Sequence, residues 1–156
     1  QRQMCIRDSA YSIKKALITR VAFMVREMHR LGINHRDCYI CHFLLQLPFT
    51  DTTDFKLSVI DLHRAQIRDA VPLRWRNKDL IALYYSCLDI GLKPSDYLRF
   101  LKVYFPNKKL KQIFADEKEL IETAQTKAAN VRFARGYDDG ISFRKAHRPR
   151  YGKSLL

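Results

Sequence analysis

Residues 34–45 read Asn34-His35-Arg36-Asp37-Cys38-Tyr39-Ile40-Cys41-His42-Phe43-Leu44-Leu45, or NHRDCYICHFLL. Two chemistries compete for this stretch. Cys38-Tyr39-Ile40-Cys41-His42 spells C-x-x-C-H, the pattern for covalent haem attachment. His35-Arg36-Asp37, with His42 five residues beyond the aspartate, follows H-R-D-x-x-x-x-N, a phosphoryl-transfer loop, with its last position substituted. Haem attachment needs an oxidising export route and a second axial ligand as well as the two thiols. The sequence marks neither, so haem is not expected. Without a second C-x-x-C, a zinc pair has no better support. Cys38 and Cys41 then read as small residues lining a loop.

Before this stretch, Ile13, Ala16, Leu17, Val21, Met24, Val25, Met28 and Leu31 recur at steps of three and four. This spacing predicts an amphipathic helix over Tyr11–Leu31 with one buried stripe. Ser12 is the expected N-cap and Gly32 the left-handed C-cap. After the polar loop, Phe43–Leu47 reads as a short buried strand. Pro48–Asp54 carries turn residues, and Phe55–Ile60 reads as a second strand. The two strands make a β-hairpin whose outer ends, near His42 and Asp61, are expected to meet.

Further helices follow. One is expected to start at Asn77-Lys78-Asp79 and end at Gly91. A second has Pro94 near its start and stops at Pro106, and a third runs from Lys108 to about Ala129. Trp75 and the Tyr84-Tyr85 pair read as core. No internal repeat appears.

Phosphoryl transfer from ATP needs a carboxylate to receive the acceptor hydroxyl, magnesium to neutralise phosphate oxygens, and positive donors for the remaining charge. The order helix, His-Arg-Asp loop, strand, turn, strand, Asp supplies the first two. Asp37 is the candidate catalytic carboxylate. Asp61 opens the segment after the hairpin and is a candidate metal ligand. His42 occupies the second metal-ligand position, although magnesium prefers oxygen donors. His35 and Arg36 are supporting residues: a packed structural histidine, and an arginine that pairs with an anion or faces solvent. Asp79 either braces the catalytic loop or favours a helix dipole.

Composition sets the outer bounds. The chain has 156 residues, 47% of them apolar, and 29 basic against 16 acidic residues give a net charge of +13. That suits one folded domain and an anionic partner. Cysteines at 5, 38, 41 and 87 lack a disulfide-framework spacing and read as reduced thiols. No apolar run approaches the ~18 residues of a membrane-spanning helix, and no signal peptide is evident. Residues 1–9 (QRQMCIRDS) resemble translated sequencing-adaptor peptide and are expected to be non-native. The domain would then span 10–131. The tail, 132–156, holds seven basic residues and three glycines and is expected to be loosely structured.

The stretches GINHRDCYICHFLL and VIDLHRAQ resemble the lipopolysaccharide core heptose kinases of Gram-negative bacteria. NKDLIALYYS and PSDYLRFLKVYF are similar to later helices of that family. The resemblance covers about Tyr11 to Phe105, and a histidine at the position of His42 is part of it. It implies an α+β fold: the mostly helical C-terminal lobe of a protein-kinase-like fold, with a small β-hairpin at the catalytic loop. It further implies ATP and Mg2+ as cofactors, Asp37 as catalytic, and Asp61 and His42 at the metal. The implied reaction is phosphorylation of a heptose hydroxyl in the lipopolysaccharide inner core. The implied location is cytoplasmic, peripheral on the anionic surface of the inner membrane. The glycine-rich cover, strand lysine and helix glutamate that hold ATP in such folds are not found, so the nucleotide-binding residues are unknown. The chain reads as a fragment that is inactive alone. Kinases for another inner-core sugar, Kdo, carry asparagine where this chain has His42. A basic nucleic-acid-binding module would need a recognition or stacking motif that the sequence lacks, so no nucleic acid is expected.

Overall fold

A computed structural model describes residues 2–47 and 55–134. Helix α1, Arg2–Arg30, is followed by strand β1, Ile33–Asn34. Gly32 makes the reversal between them at φ +77°, backbone that side chains with a Cβ resist. A Cβ there would also stand 1.7 Å from the Arg68 carbonyl oxygen. Strands β2 (Phe43–Leu45) and β3 (Leu57–Val59) come next, then β4, Gln66–Ile67. Helices α2 (Leu73–Ser86), α3 (Pro94–Tyr104), α4 (Leu110–Asp116) and α5 (Lys118–Ala134) complete the described chain. This is the mostly helical α+β architecture expected of a kinase-like C-terminal lobe.

The strands form two antiparallel ribbons, one nested inside the other. β2 pairs with β3 in the register Phe43↔Val59, Leu44↔Ser58, Leu45↔Leu57, the expected hairpin. β1 pairs with β4 through Ile33↔Ile67 and Asn34↔Gln66; two residues a strand give too little pattern to foresee. The nesting has a geometric consequence. Residues 35–42 run from the outer ribbon to the inner one, and residues 60–65 run back. Both crossings are fixed at each end and lie side by side.

The core joins α1, the loop, the hairpin and the later helices. Val21, Val25, Cys38, Phe43, Leu80, Ile81, Leu83, Cys87, Tyr104, Leu120 and Ala124 form one buried cluster. Leu31, the expected end of the α1 stripe, is instead exposed. α1 and α3 are also clamped by polar contacts. Lys14 Nζ reaches Asp96 Oδ2 at 2.8 Å, and Arg26 donates to the Val103 carbonyl at 3.2 Å. Asp96 Oδ2 accepts the Lys93 amide at 2.9 Å as well, closing the N-terminus of α3 behind Pro94.

Several boundaries differ from the periodicity. Ser12 lies inside α1 and does not cap it. α2 begins at Leu73, so Asp79 sits well past the first turn and the dipole reading falls. Lys108 to Ala129 is not one helix. It breaks at Glu117, a buried residue ion-paired with Arg76 of α2. No glycine or proline stands there; the break coincides with a side chain turned inward to a tertiary partner. The turn Pro48–Asp54 and residues 135–156 of the basic tail lie outside the described residues.

Candidate functional site

The loop 35–42 is held from beneath by Asp79. This buried carboxylate accepts the His35 amide at 2.7 Å and the Arg36 amide at 2.8 Å. It also accepts His29 Nε2–H at 3.2 Å, and His29 Nδ1 meets the Tyr104 hydroxyl at 2.6 Å. Three helices are thereby tied to one turn of loop. Arg36 adopts φ +73°, a left-handed conformation that costs a non-glycine residue roughly 1–3 kcal/mol and recurs at functional sites. The Asp79 contacts hold it there. Of its two sequence readings, bracing is what the geometry bears out.

His35 is the packed histidine expected of it. The side chain is fully buried, and Nε2–H donates to the Ile60 carbonyl at 3.1 Å. That bond joins the loop to the residue preceding Asp61. The His35 and His42 rings stack with centroids 5.4 Å apart. Among the described residues Arg36 has no carboxylate partner, and its guanidinium rests 5.1 Å from the Trp75 ring centre rather than free in solvent. Trp75 is only half-buried and lies outside the core cluster.

His42 lies between the backbone of Asp37 and the carboxylate of Asp61. A carbonyl can only accept, so Nδ1–H donates to the Asp37 carbonyl, at 2.8 Å. Nε2 is left facing Asp61 Oδ2 at 3.4 Å. The His42 carbonyl accepts the Ile60 amide at 2.9 Å, extending the hairpin to its mouth. Asp61 has φ +61° and starts a turn of 3₁₀ helix over Leu62–Arg64. The meeting of the hairpin ends near His42 and Asp61 is therefore realised. Asp61 also pairs with His63, which faces solvent.

Two contacts at the site had no local signal in the sequence. Arg64, at the end of the turn begun by Asp61, places Nη1 3.0 Å and 2.9 Å from the two Asp37 carboxylate oxygens. Arg64 and Asp37 are 27 residues apart. Ser86 of α2 accepts the Ile40 amide at 2.8 Å. Both follow from closure of the nested ribbons against α2, which periodicity does not encode.

The two thiols of C-x-x-C-H part company. Cys38 is packed in the core, where burial pushes its thiol well above the usual range, while Cys41 is exposed. With His42 engaged between Asp37 and Asp61, the motif does not present two thiols and an imidazole on one surface.

The family described as Lipopolysaccharide kinase (Kdo/WaaP) matches residues 3–104. The chain belongs to that family. The lipopolysaccharide core heptose(I) kinase WaaP of Escherichia coli K12 is 59% identical over 121 residues, covering 77% of this chain and 45% of that protein. The Pseudomonas aeruginosa protein of the same name is 59% identical over 120 residues, covering 76% of this chain and 44% of its own length. A solved structure, WaaP in complex with acyl carrier protein, superposes with a TM-score of 0.72 at 58% identity. It covers 76% of this chain and 49% of its own. This member of the kinase family thus spans somewhat less than half the length of the curated relatives it matches.

Among the described residues there is no cluster of three or more histidine, cysteine or carboxylate ligands. Magnesium on a nucleotide seldom uses such a cage; one or two carboxylates and the phosphates suffice. Asp61, its side chain 39% exposed at the ribbon mouth, fits that requirement. His42 Nε2 beside it is a nitrogen donor and fits less well.

Proposed function

We propose that this chain is the catalytic-loop half of an ATP-dependent kinase that phosphorylates a heptose hydroxyl of the lipopolysaccharide inner core. One relationship carries the reading: a single His42 ring lies between the Asp37 loop and the Asp61 carboxylate. Phosphoryl transfer needs an acceptor-directed carboxylate and a metal-directed one near each other, and the contacts of one His42 ring with the Asp37 backbone and the Asp61 carboxylate support that reading. Magnesium ATP, when bound, brings the transferable phosphoryl group and its charge neutralisation. Asp61 would hold the metal, and His42 would fix the spacing between Asp61 and the Asp37 backbone.

Asp37 would accept the hydrogen bond of the sugar hydroxyl and take its proton as the new O–P bond forms. Arg64 occupies both Asp37 oxygens. Because its side chain is half exposed, an arriving hydroxyl displaces it without unpacking the core. His35 and Arg36 support the loop. The heptose reading, rather than Kdo, is favoured by the names of the relatives and by the histidine at 42. The protein would act as a peripheral enzyme on the cytoplasmic face of the inner membrane, a surface whose anionic charge suits the +13 chain. An association with acyl carrier protein is carried over from the structural neighbour on the same footing.

The test uses a chimera in which this chain is completed with the part of the P. aeruginosa relative that the match leaves uncovered. It is incubated with ATP, Mg2+ and dephosphorylated core glycolipid. Turnover is expected from the chimera and not from the 156-residue chain alone. Asp37→Asn should lower kcat about 10²–10⁴-fold. A chimera that keeps full turnover with Asp37→Asn refutes the assignment.

A further inference from the structure

Trp75 is the sole tryptophan of the chain, and four cations surround it. The Arg36 guanidinium carbon lies 5.1 Å from the ring centre and Lys78 Nζ 5.2 Å. Arg74 and Arg68 stand at 5.4 Å and 5.9 Å. They come from three separate places: the catalytic loop, the residue after β4, and the first turns of α2. The ring face attracts each cation singly. Gathering four about one ring also sets like charges against one another, a repulsion that a bound anion would relieve.

Among the described residues, none of the four has a carboxylate partner. Arg68 bonds only the neutral side chains of Asn34, at 2.5 Å, and Gln66. The Arg36 Nε is buried with no acceptor. Two carboxylates of the neighbouring elements are engaged elsewhere, Asp79 by the loop amides and Asp37 by Arg64. α2 adds to the same field, since its first turn carries no acidic residue and Pro72 at its N-cap offers no side-chain acceptor. Arg36 directly precedes Asp37, so the positive cluster adjoins the candidate catalytic carboxylate.

We infer that the cations around Trp75 bind an anionic group, a carboxylate or phosphate, carried by an acidic sugar of the acceptor glycolipid. The site holds that group while a neighbouring hydroxyl faces Asp37. Arg74 and Lys78, both exposed, grip it from the solvent side, and Arg36 and Arg68 close the inner side. The identity of the acceptor rests on the kinase reading above; the anion site does not, and the two fail separately.

The experiment titrates the 156-residue chain with deacylated core oligosaccharide and follows Trp75 fluorescence. A saturable change is expected. The Arg74→Gln, Lys78→Gln double variant should raise the midpoint concentration about tenfold or more, with an unchanged circular-dichroism melt. Oligosaccharide whose carboxylates are reduced to alcohols and whose phosphates are removed should leave the wild-type signal flat, a comparison that needs no variant to fold. Equal binding of the neutral oligosaccharide overturns the proposal, as does a double variant that binds like wild type. Phosphatidylglycerol vesicles that bind more tightly than the oligosaccharide overturn it in favour of a membrane patch. Asp37→Asn should bind normally. Normal binding by that variant, together with its full turnover in the chimera, would sink the kinase reading and leave the anion site standing.

Discussion

Asp79 accepts the backbone amides of His35 and Arg36 across 44 and 43 residues of chain. The contact converts a helix position into the floor of the 35–42 loop. It also holds Arg36 at positive φ directly before Asp37, so the direction in which Asp37 leaves the loop is set from α2.

Asp79→Ala should therefore be among the costliest single substitutions. It strands the buried His35 amide and the partly buried Arg36 amide, a buried unsatisfied group costing roughly 1–3 kcal/mol, and loosens His29. Urea denaturation should show a loss of roughly 2–5 kcal/mol. An Asp79→Ala protein with an unchanged midpoint would mean that the loop is held by something else.

Gly32 and Gly91 form an internal comparison. Both have positive φ, +77° and +69°, but an added Cβ overlaps the Arg68 carbonyl at Gly32 and meets nothing within 4 Å at Gly91. Gly91→Ala should cost about 1–2 kcal/mol from backbone strain alone. Gly32→Ala should cost visibly more and break the β1–β4 pairing, because the Arg68 amide bonds the Gly32 carbonyl at 3.0 Å. Thermal melts of the two variants decide it; equal losses would be inconsistent with this geometry.

The clamp between α1 and α3 makes stability depend on pH. Burial by itself would raise the Asp96 carboxyl. Lys14, the Lys93 amide and Arg99 outweigh it and hold Asp96 below its ordinary value of 3.8. A carboxyl lowered in the folded state stabilises above its unfolded value and loses that contribution as pH falls through the folded one. Melting temperature should thus decline as pH drops below about 4. Lys14→Met should lower it already at neutral pH, leave Asp96 less depressed and flatten this part of the acid dependence. A Lys14→Met profile parallel to wild type down to low pH would contradict the pairing.

Thiol reactivity should follow burial. Burial raises the Cys87 thiol to about 11 and pushes the Cys38 thiol well above its ordinary value, and the thiolate is the reactive form. Brief iodoacetamide treatment of the native chain at pH 8, read by peptide mass spectrometry, should modify Cys41 and spare Cys38 and Cys87. Rapid labelling of Cys38 would show that the loop opens readily or packs differently.

How much of this was legible beforehand depended on how local the determinant is. A long helix ending at a glycine, then the loop, then a hairpin ending at an acid, all followed from patterns a few residues wide: the α1 periodicity, Gly32, the alternation of residues 55–60, and the five-residue step from Asp37 to His42. The meeting of His42 with Asp61 followed too, because antiparallel strands joined by a turn bring their outer ends together. Asp79 was half legible, since the sequence offers bracing and a helix dipole alike and only the packing of α2 under the loop decides between them. Arg64 and Trp75 were opaque for one common reason. Arg64 finds Asp37 only because two nested ribbons close side by side. Trp75 reads as core until cations from three segments converge on it. Local spacing fixes which side chains a segment offers and in which direction. Only the docking of α2 and the closure of β1 on β4, set by burial and loop closure over tens of residues, decide what each side chain meets.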